Sequence, residues 1–306
     1  MSPVSLHRLF RILMVLMVLW AFLPAAAARA IPVPPDIKKS VVFLFLPNAD
    51  DKLIPSGTGF LMGVRHPAKK GIMYVYLVTA KHVLQTADRS AFVPQAYVRL
   101  NTKDGRSDVL TISLQTDGSK KNVYVHPDPT VDLAVIPVFE DPARYEFKVV
   151  SEDLLTTQPE AERLEIREGT DVFYAGLFVP HLGVLRNYPI VRIGKVALLP
   201  GEKINWGGKE AELYLIESAS FGGNSGAPVF FVLPAAGGRS GAGSGGAAVK
   251  LAGVLVGYFG EVEPVGPSAS GTRTLAMYNT GVSAAVPAFK LREILFGDEL
   301  SRQRRP

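Results

Sequence analysis

Phe221-Gly222-Gly223-Asn224-Ser225-Gly226-Ala227-Pro228 runs directly into the apolar segment Val229-Phe230-Phe231-Val232. A serine set among glycines can expose its hydroxyl while neighbouring backbone N–H groups converge on one point, and only glycine tolerates some of the dihedrals this needs. Acyl-transfer chemistry makes that demand. The same composition also suits an ordinary Gly-rich turn between strands, so the reading depends on whether the chain supplies a base and an acid.

The histidines are His7, His66, His82, His126 and His181. His66 lies in the turn-like Arg65-His66-Pro67, His126 precedes Pro127, and His181 follows Pro180. His82 differs. It follows the apolar strand Tyr74-Val75-Tyr76-Leu77-Val78-Thr79, where a side chain can be held rigidly at the mouth of a buried strand. For the acid, Asp132 stands at the threshold of Leu133-Ala134-Val135-Ile136, where a buried carboxylate requires a partner. Asp128, between Pro127 and Pro129, is its competitor in a turn. Asp is also a common strand-opening turn residue.

Chain order separates the serine-hydrolase designs. No histidine follows Ser225, and Ala227 breaks the G-x-S-x-G elbow, which excludes an α/β-hydrolase. A subtilisin needs Asp before His, and Asp50-Asp51 lies in a polar loop without βα units. The order left is His82, Asp132, Ser225.

Around these residues the 306-residue chain is a series of short apolar runs rich in Val, Ile, Tyr and Phe, separated by Gly, Pro, Asn and Asp. Val41–Leu46, Tyr74–Thr79, Ala96–Leu100, Val109–Leu114, Leu133–Val138, Val172–Leu177, Leu213–Glu217, Val229–Leu233 and Leu251–Tyr258 read as strands. Many short strands predict an all-β sandwich or barrels. Helix is expected only near Ser151–Ile166 and from about Pro287, where Ala288, Leu291, Ile294 and Leu295 share a face. The acidic stretch from Glu140 to Glu168 reads as a connection between two halves. Ala235–Ala248, composed of Gly, Ala and Ser with a single Arg, reads as a flexible insertion.

With these pieces in order, the chain resembles the chymotrypsin-like serine peptidases, and most of all their bacterial trypsin-like branch, which includes the periplasmic heat-shock proteases. The resemblance rests on Ser56-Gly57-Thr58-Gly59-Phe60-Leu61, Leu77-Val78-Thr79-Ala80-Lys81-His82-Val83, Val131-Asp132-Leu133-Ala134-Val135 and Gly223-Asn224-Ser225-Gly226-Ala227-Pro228, with weaker matches at Leu251–Val254 and Gly281–Pro287. It implies an all-β fold of two six-stranded antiparallel β-barrels with a short C-terminal helix and a site in the cleft between them. The first barrel would span 31–150 with His82 and Asp132, and the second 151–298 with Ser225. It further implies an oxyanion hole of the Gly223 and Ser225 N–H groups. Ala219, Ser220 and Phe221 would line a primary pocket faced by Val256 or Tyr258. Ala219 would sit at the pocket base, so an uncharged small or medium residue is expected on the acyl side of the cut. Lys81 and Ala227 depart from the family's usual residues, and no PDZ-like module is expected after the helix.

Composition bounds the rest. No cysteine is present, so thiol nucleophiles and Cys-ligated zinc are excluded. The formal charge is +5, but Arg8, Arg11 and Arg29 fall in the first 30 residues, leaving 30 basic against 28 acidic. Arg302, Arg304 and Arg305 crowd the end and read as a solvated basic tail over 299–306, so nucleic-acid binding has little support. The basic start, the apolar run Ile12–Leu23 and Ala28-Arg29-Ala30 form a signal-peptide layout over 1–30. Export to the periplasm or beyond is expected, with protein or peptide substrates, only transient membrane contact, and no metal or cofactor. The rival readings are a protease-like binder without turnover and a membrane-anchored surface β protein.

Overall fold

In the computed structural model, residues 33–118, 121–138, 141–233, 248–265 and 274–304 are described. The signal-peptide layout over 1–30 and nearly all of the 235–248 insertion lie outside them. Val41–Phe45 are buried in succession, so this strand is covered on both faces and reads as an unbroken apolar run. It is β1 (Val41–Pro47), at the centre of a sheet with β2 (Leu53–Arg65), β3 (Met73–Thr79), β4 (Gln95–Asn101), β5 (Ser107–Ser113), β6 (Tyr124–Val125) and β7 (Ala134–Val138). The order is β5-β4-β1-β2-β3-β7-β6, and β8 (Val150–Ser151) joins β2 in parallel. This sheet is an open path. The C-terminal sheet closes into a six-stranded barrel, β10-β13-β16-β15-β14-β9.

The barrel comprises β9 (Asp171–Gly176), β10 (Ile190–Leu198), β13 (Tyr214–Glu217), β14 (Pro228–Leu233), β15 (Ala248–Val265) and β16 (Thr274–Pro287), and a small hairpin of β11 (Ile204–Trp206) and β12 (Lys209–Ala211) stands beside it. All nine runs read as strands lie on strands. The expected helix near 151–166 shrinks to a 3-10 turn at Glu152–Leu154 and α2 (Gln158–Arg163), α1 being Pro35–Ser40. Glu165 follows with φ 52°, which stops helical propagation. Among the described residues no helix is long and apolar enough to cross a membrane.

The chain ends in α3 (Ala288–Leu295) and α4 (Asp298–Gln303), which return to the first sheet. His126 Nε2 meets Glu293 at 2.6 Å, Lys121 pairs with Glu299 at 2.6 Å, and Gln303 donates to the Tyr124 hydroxyl. The solvated tail expected at 299–306 fails at Arg304, which is 6% exposed. Its guanidinium donates to the Tyr76 hydroxyl at 2.9 Å and to the Leu295 carbonyl, and stacks near the Tyr76 and Phe296 rings. A guanidinium can enter such a site because oxygen acceptors and ring faces replace its water. Arg302 stays exposed.

Candidate active site

β3 ends at Thr79, and a 3-10 turn over Lys81–Leu84 carries His82. Asp132 stands two residues before β7, which pairs with β3 through Thr79↔Ala134. That register sets the two side chains against each other. His82 Nδ1 lies 2.5 Å from Asp132 Oδ2, and the His82 backbone N–H donates to Oδ1 at 2.9 Å. A carboxylate accepts only, so Nδ1 carries the proton in this contact, which in the neutral tautomer puts the ring's lone pair on Nε2. Burial pushes the Asp132 carboxyl up, but hydrogen bonds from His82 and the charges of His82 and Lys81 outweigh it and hold the group below its ordinary value. Lys81 Nζ bonds the Pro129 and Val131 carbonyls at 2.9 and 3.2 Å, tying the turn of His82 to the loop before Asp132. Burial lowers that ammonium, against the opposing pull of Asp132.

Ser225 is half-buried in the turn between Phe221 and β14. Asn224 is 2% exposed, and its side chain accepts from the Phe221 N–H at 2.9 Å and donates to the Leu177 carbonyl at 2.6 Å. Asn224 N donates to Phe221 O, and Ala227 N to Asn224 O, each at 3.0 Å. The N–H groups of Gly223 and Ser225 have no protein acceptor among the described residues. Gly223 has φ 92°, a conformation costly for any other residue. Across the turn, a β-carbon on Gly57 would lie 2.5 Å from the Val83 side chain and 3.2 Å from the Ser225 carbonyl, so the turn bearing His82 and the loop bearing Ser225 meet over Gly57. No hydrogen bond joins Ser225 Oγ to His82 among the described residues.

Ala219, Ser220 and Phe221 precede this turn. Burial pushes the Tyr174 phenol up to about 12, so it stays a neutral donor, to the Ala219 carbonyl at 2.8 Å. Ser220 is buried, its hydroxyl 2.8 Å from Ser283 Oγ and 3.4 Å from the Gly257 carbonyl. Phe221 is 49% exposed and lies under Arg192 of β10, whose guanidinium carbon is 4.9 Å from the ring centroid. Tyr258 is half-buried, whereas Val256 packs in the larger apolar core. Glu217 is exposed and pairs in register with Lys195, outside this group.

The competing carboxylate, Asp128, closes a turn onto Thr130, whose hydroxyl and N–H lower its pKa to about 2. His66 accepts from the Ala68 and Lys69 N–H groups within its own turn, and His126 faces Glu293 as described. Among the described residues no three His, Asp or Glu side chains gather as metal ligands. Nothing local marks Arg192, an isolated polar residue in a strand, as a neighbour of the site, and Thr58 stands out only as part of the Ser56–Leu61 segment; the packing alone brings both to the loop.

A family model described as a trypsin-like peptidase domain matches residues 57–232. No curated protein matches the sequence. Among solved structures, the crystal structure of the MamO protease domain from Magnetospirillum magneticum in its apo form is similar at 15% identity, with a TM-score of 0.47 over 85% of this chain and 97% of that chain.

Proposed function

The chain belongs to the trypsin-like peptidase domain family, whose model covers more than half of its length, and on that premise we propose that it is an exported serine endopeptidase acting through an acyl-enzyme. Ser225 attacks the scissile carbonyl, and His82 Nε2 takes its proton and returns it to the leaving amine. Asp132 holds the imidazole in the required tautomer and stabilises the imidazolium. The N–H groups of Gly223 and Ser225 receive the oxyanion. The observation that carries this reading is the 2.5 Å contact between His82 Nδ1 and Asp132, with the turn that bears His82 meeting the loop that bears Ser225 over Gly57.

The acyl-side residue is proposed to be uncharged and small or medium in size. The neutral Ser220–Ser283 hydroxyl pair and the exposure of Glu217 support that preference, with Ala219 proposed for the pocket base. Val256 and Tyr258 are proposed for the facing wall. Each methylene is worth about 1–3 kcal/mol in such a pocket, so discrimination is modest. The export arm rests on residues 1–30 alone and is tested by the intact mass of the exported protein, which should lack them.

A fluorophosphonate probe should label the purified protein at Ser225, and Ser225→Ala should abolish both labelling and peptide hydrolysis. Hydrolysis that survives in Ser225→Ala refutes the mechanism. Failure of the wild type to label or cleave would leave the binder without turnover. A peptide library dominated by Lys or Arg on the acyl side would refute the pocket assignment.

A further inference from the structure

Thr58 is a polar side chain at 0% exposure in the middle of β2, where a hydroxyl is costly unless both its donor and its acceptor capacity are used. Both are. Its Oγ1 donates to the Gly223 carbonyl at 2.7 Å and accepts from the Leu177 N–H at 2.9 Å. Its own N–H donates to the Ser225 carbonyl at 2.8 Å, and its carbonyl accepts from the Thr79 hydroxyl at 2.7 Å. One residue of the first sheet therefore grips the two carbonyls that flank the Asn224–Ser225 peptide, and touches the end of the strand leading to His82.

The grip matters because of what the loop lacks. Gly222 and Gly223 give it the widest conformational freedom in the neighbourhood, and the Gly222 carbonyl has no protein donor among the described residues. Its other fastenings come from Asn224, Ala227 and Leu255 within the C-terminal half, where Gly226 N donates to Leu255 O at 2.7 Å. The Thr58 hydroxyl fixes the peptide immediately after the Gly223 N–H and so restricts the rotation that would turn that N–H away from an oxyanion. A β-strand scaffold supplies this with little reorganisation, which is where preorganised donors gain their effect.

We propose that Thr58 is a positioning residue for the reaction, its hydroxyl holding the Gly223–Asn224 peptide so that the adjoining Gly223 N–H faces the developing oxyanion. This rests on the serine-peptidase reading above. Because the oxyanion exists only in the transition state, losing the hydroxyl lowers kcat and leaves KM nearly unchanged.

The test compares Thr58→Val, which keeps the shape and removes the hydroxyl, with Thr58→Ser, which keeps the hydroxyl. Turnover of a chromogenic peptide and inhibition by a peptide aldehyde, a mimic of the tetrahedral adduct, are measured on the full chain. Thr58→Val should lose about 10- to 100-fold in kcat, less than or comparable to the loss of a whole oxyanion donor, with KM within about two-fold. Its affinity for the aldehyde should fall in proportion to kcat. Thr58→Ser should return within about three-fold of wild type in both measures. If Thr58→Val fails to fold, Thr58→Ala carries the same expectation, with the folded fraction set by circular dichroism. An active wild type whose Thr58→Val kcat is unchanged, or whose KM alone rises, or whose Thr58→Ser falls as far as Thr58→Val, would overturn the role of Thr58 and leave the peptidase reading standing. A wild type inert toward peptides and fluorophosphonate would overturn both.

Discussion

Gly226→Ala puts a methyl group into the tightest joint beside Ser225. The added β-carbon would lie 1.9 Å from the Thr58 carbonyl oxygen and 2.3 Å from Thr79 Oγ1, where ordinary contact begins at 3.4 Å. The shortfall against the carbonyl is 3.4 − 1.9 = 1.5 Å. The obstacle is backbone in mid-strand, and it cannot withdraw without pulling the Thr58 N–H from the Ser225 carbonyl. Gly226 also sits at φ 90°, which costs an L-residue about 1–2 kcal/mol. Forcing packed backbone apart adds about 1–3 kcal/mol. The sum is about 2–5 kcal/mol, a fall in melting temperature of about 4–20 °C for a chain of this size. Gly222→Ala is the control, since its β-carbon would meet nothing within 4 Å; it should stay within about 0.5 kcal/mol of wild type. Thermal melts followed by circular dichroism, with the rate of fluorophosphonate labelling on the same samples, separate the two. If Gly226→Ala melts with Gly222→Ala and labels at the wild-type rate, the joint between the two halves is not where these contacts put it.

Arg304→Ala should lower stability by about 1.5–3 kcal/mol, the range for hydrogen bonds to a charged group, while Arg302→Ala leaves the melting temperature within about 2 °C; equal melts would show that the tail is solvated after all. Asp132 has a folded pKa below its unfolded value of about 3.9, so it binds fewer protons when folded. Its stabilising contribution is therefore complete above about pH 5 and is lost as pH falls through the folded pKa. The difference in unfolding free energy between wild type and Asp132→Asn should narrow as pH falls below about 4, and a difference that widens there contradicts the assignment.

Much of this was legible in the sequence because it depends on neighbours close along the chain. β1, β3, β7 and β14 are apolar runs bounded by turn residues, and His82 and Asp132 stand out because each adjoins one of them. β10 was not visible: Ile-Val-Arg-Ile-Gly-Lys-Val-Ala-Leu interrupts its apolar residues with Arg192, Gly194 and Lys195, and barrel closure rather than propensity makes it a strand. β16 carries small residues and Asn279, Thr280 and Gly281, a composition that reads as loop until β13 and β15 pair with it. Closure of the second barrel thus depends on two strands without a local signature, and the first sheet, expected to be a barrel, remains an open path. Thr58 and Arg304 escaped for a different reason. Their partners lie 165 and 228 residues away, and nothing local distinguishes a polar residue that will find an acceptor from one that faces water.

The return of α3 and α4 to the first sheet reverses the order in which the molecule is made and finished. Strands β1 to β7 emerge first from synthesis, yet Tyr76, Tyr124 and His126 keep open positions until residues 293–304 exist to fill them. Contacts that span most of a chain form late, because the intervening segment must be organised before its ends can meet. Thr58 likewise waits for Ser225, with the whole of β3 to β13 between them. The pairing of His82 with Asp132 therefore draws only on residues made early, whereas the bracing of that sheet and the fixing of the Ser225 loop draw on residues made much later, with 293–304 closing the half that was begun first.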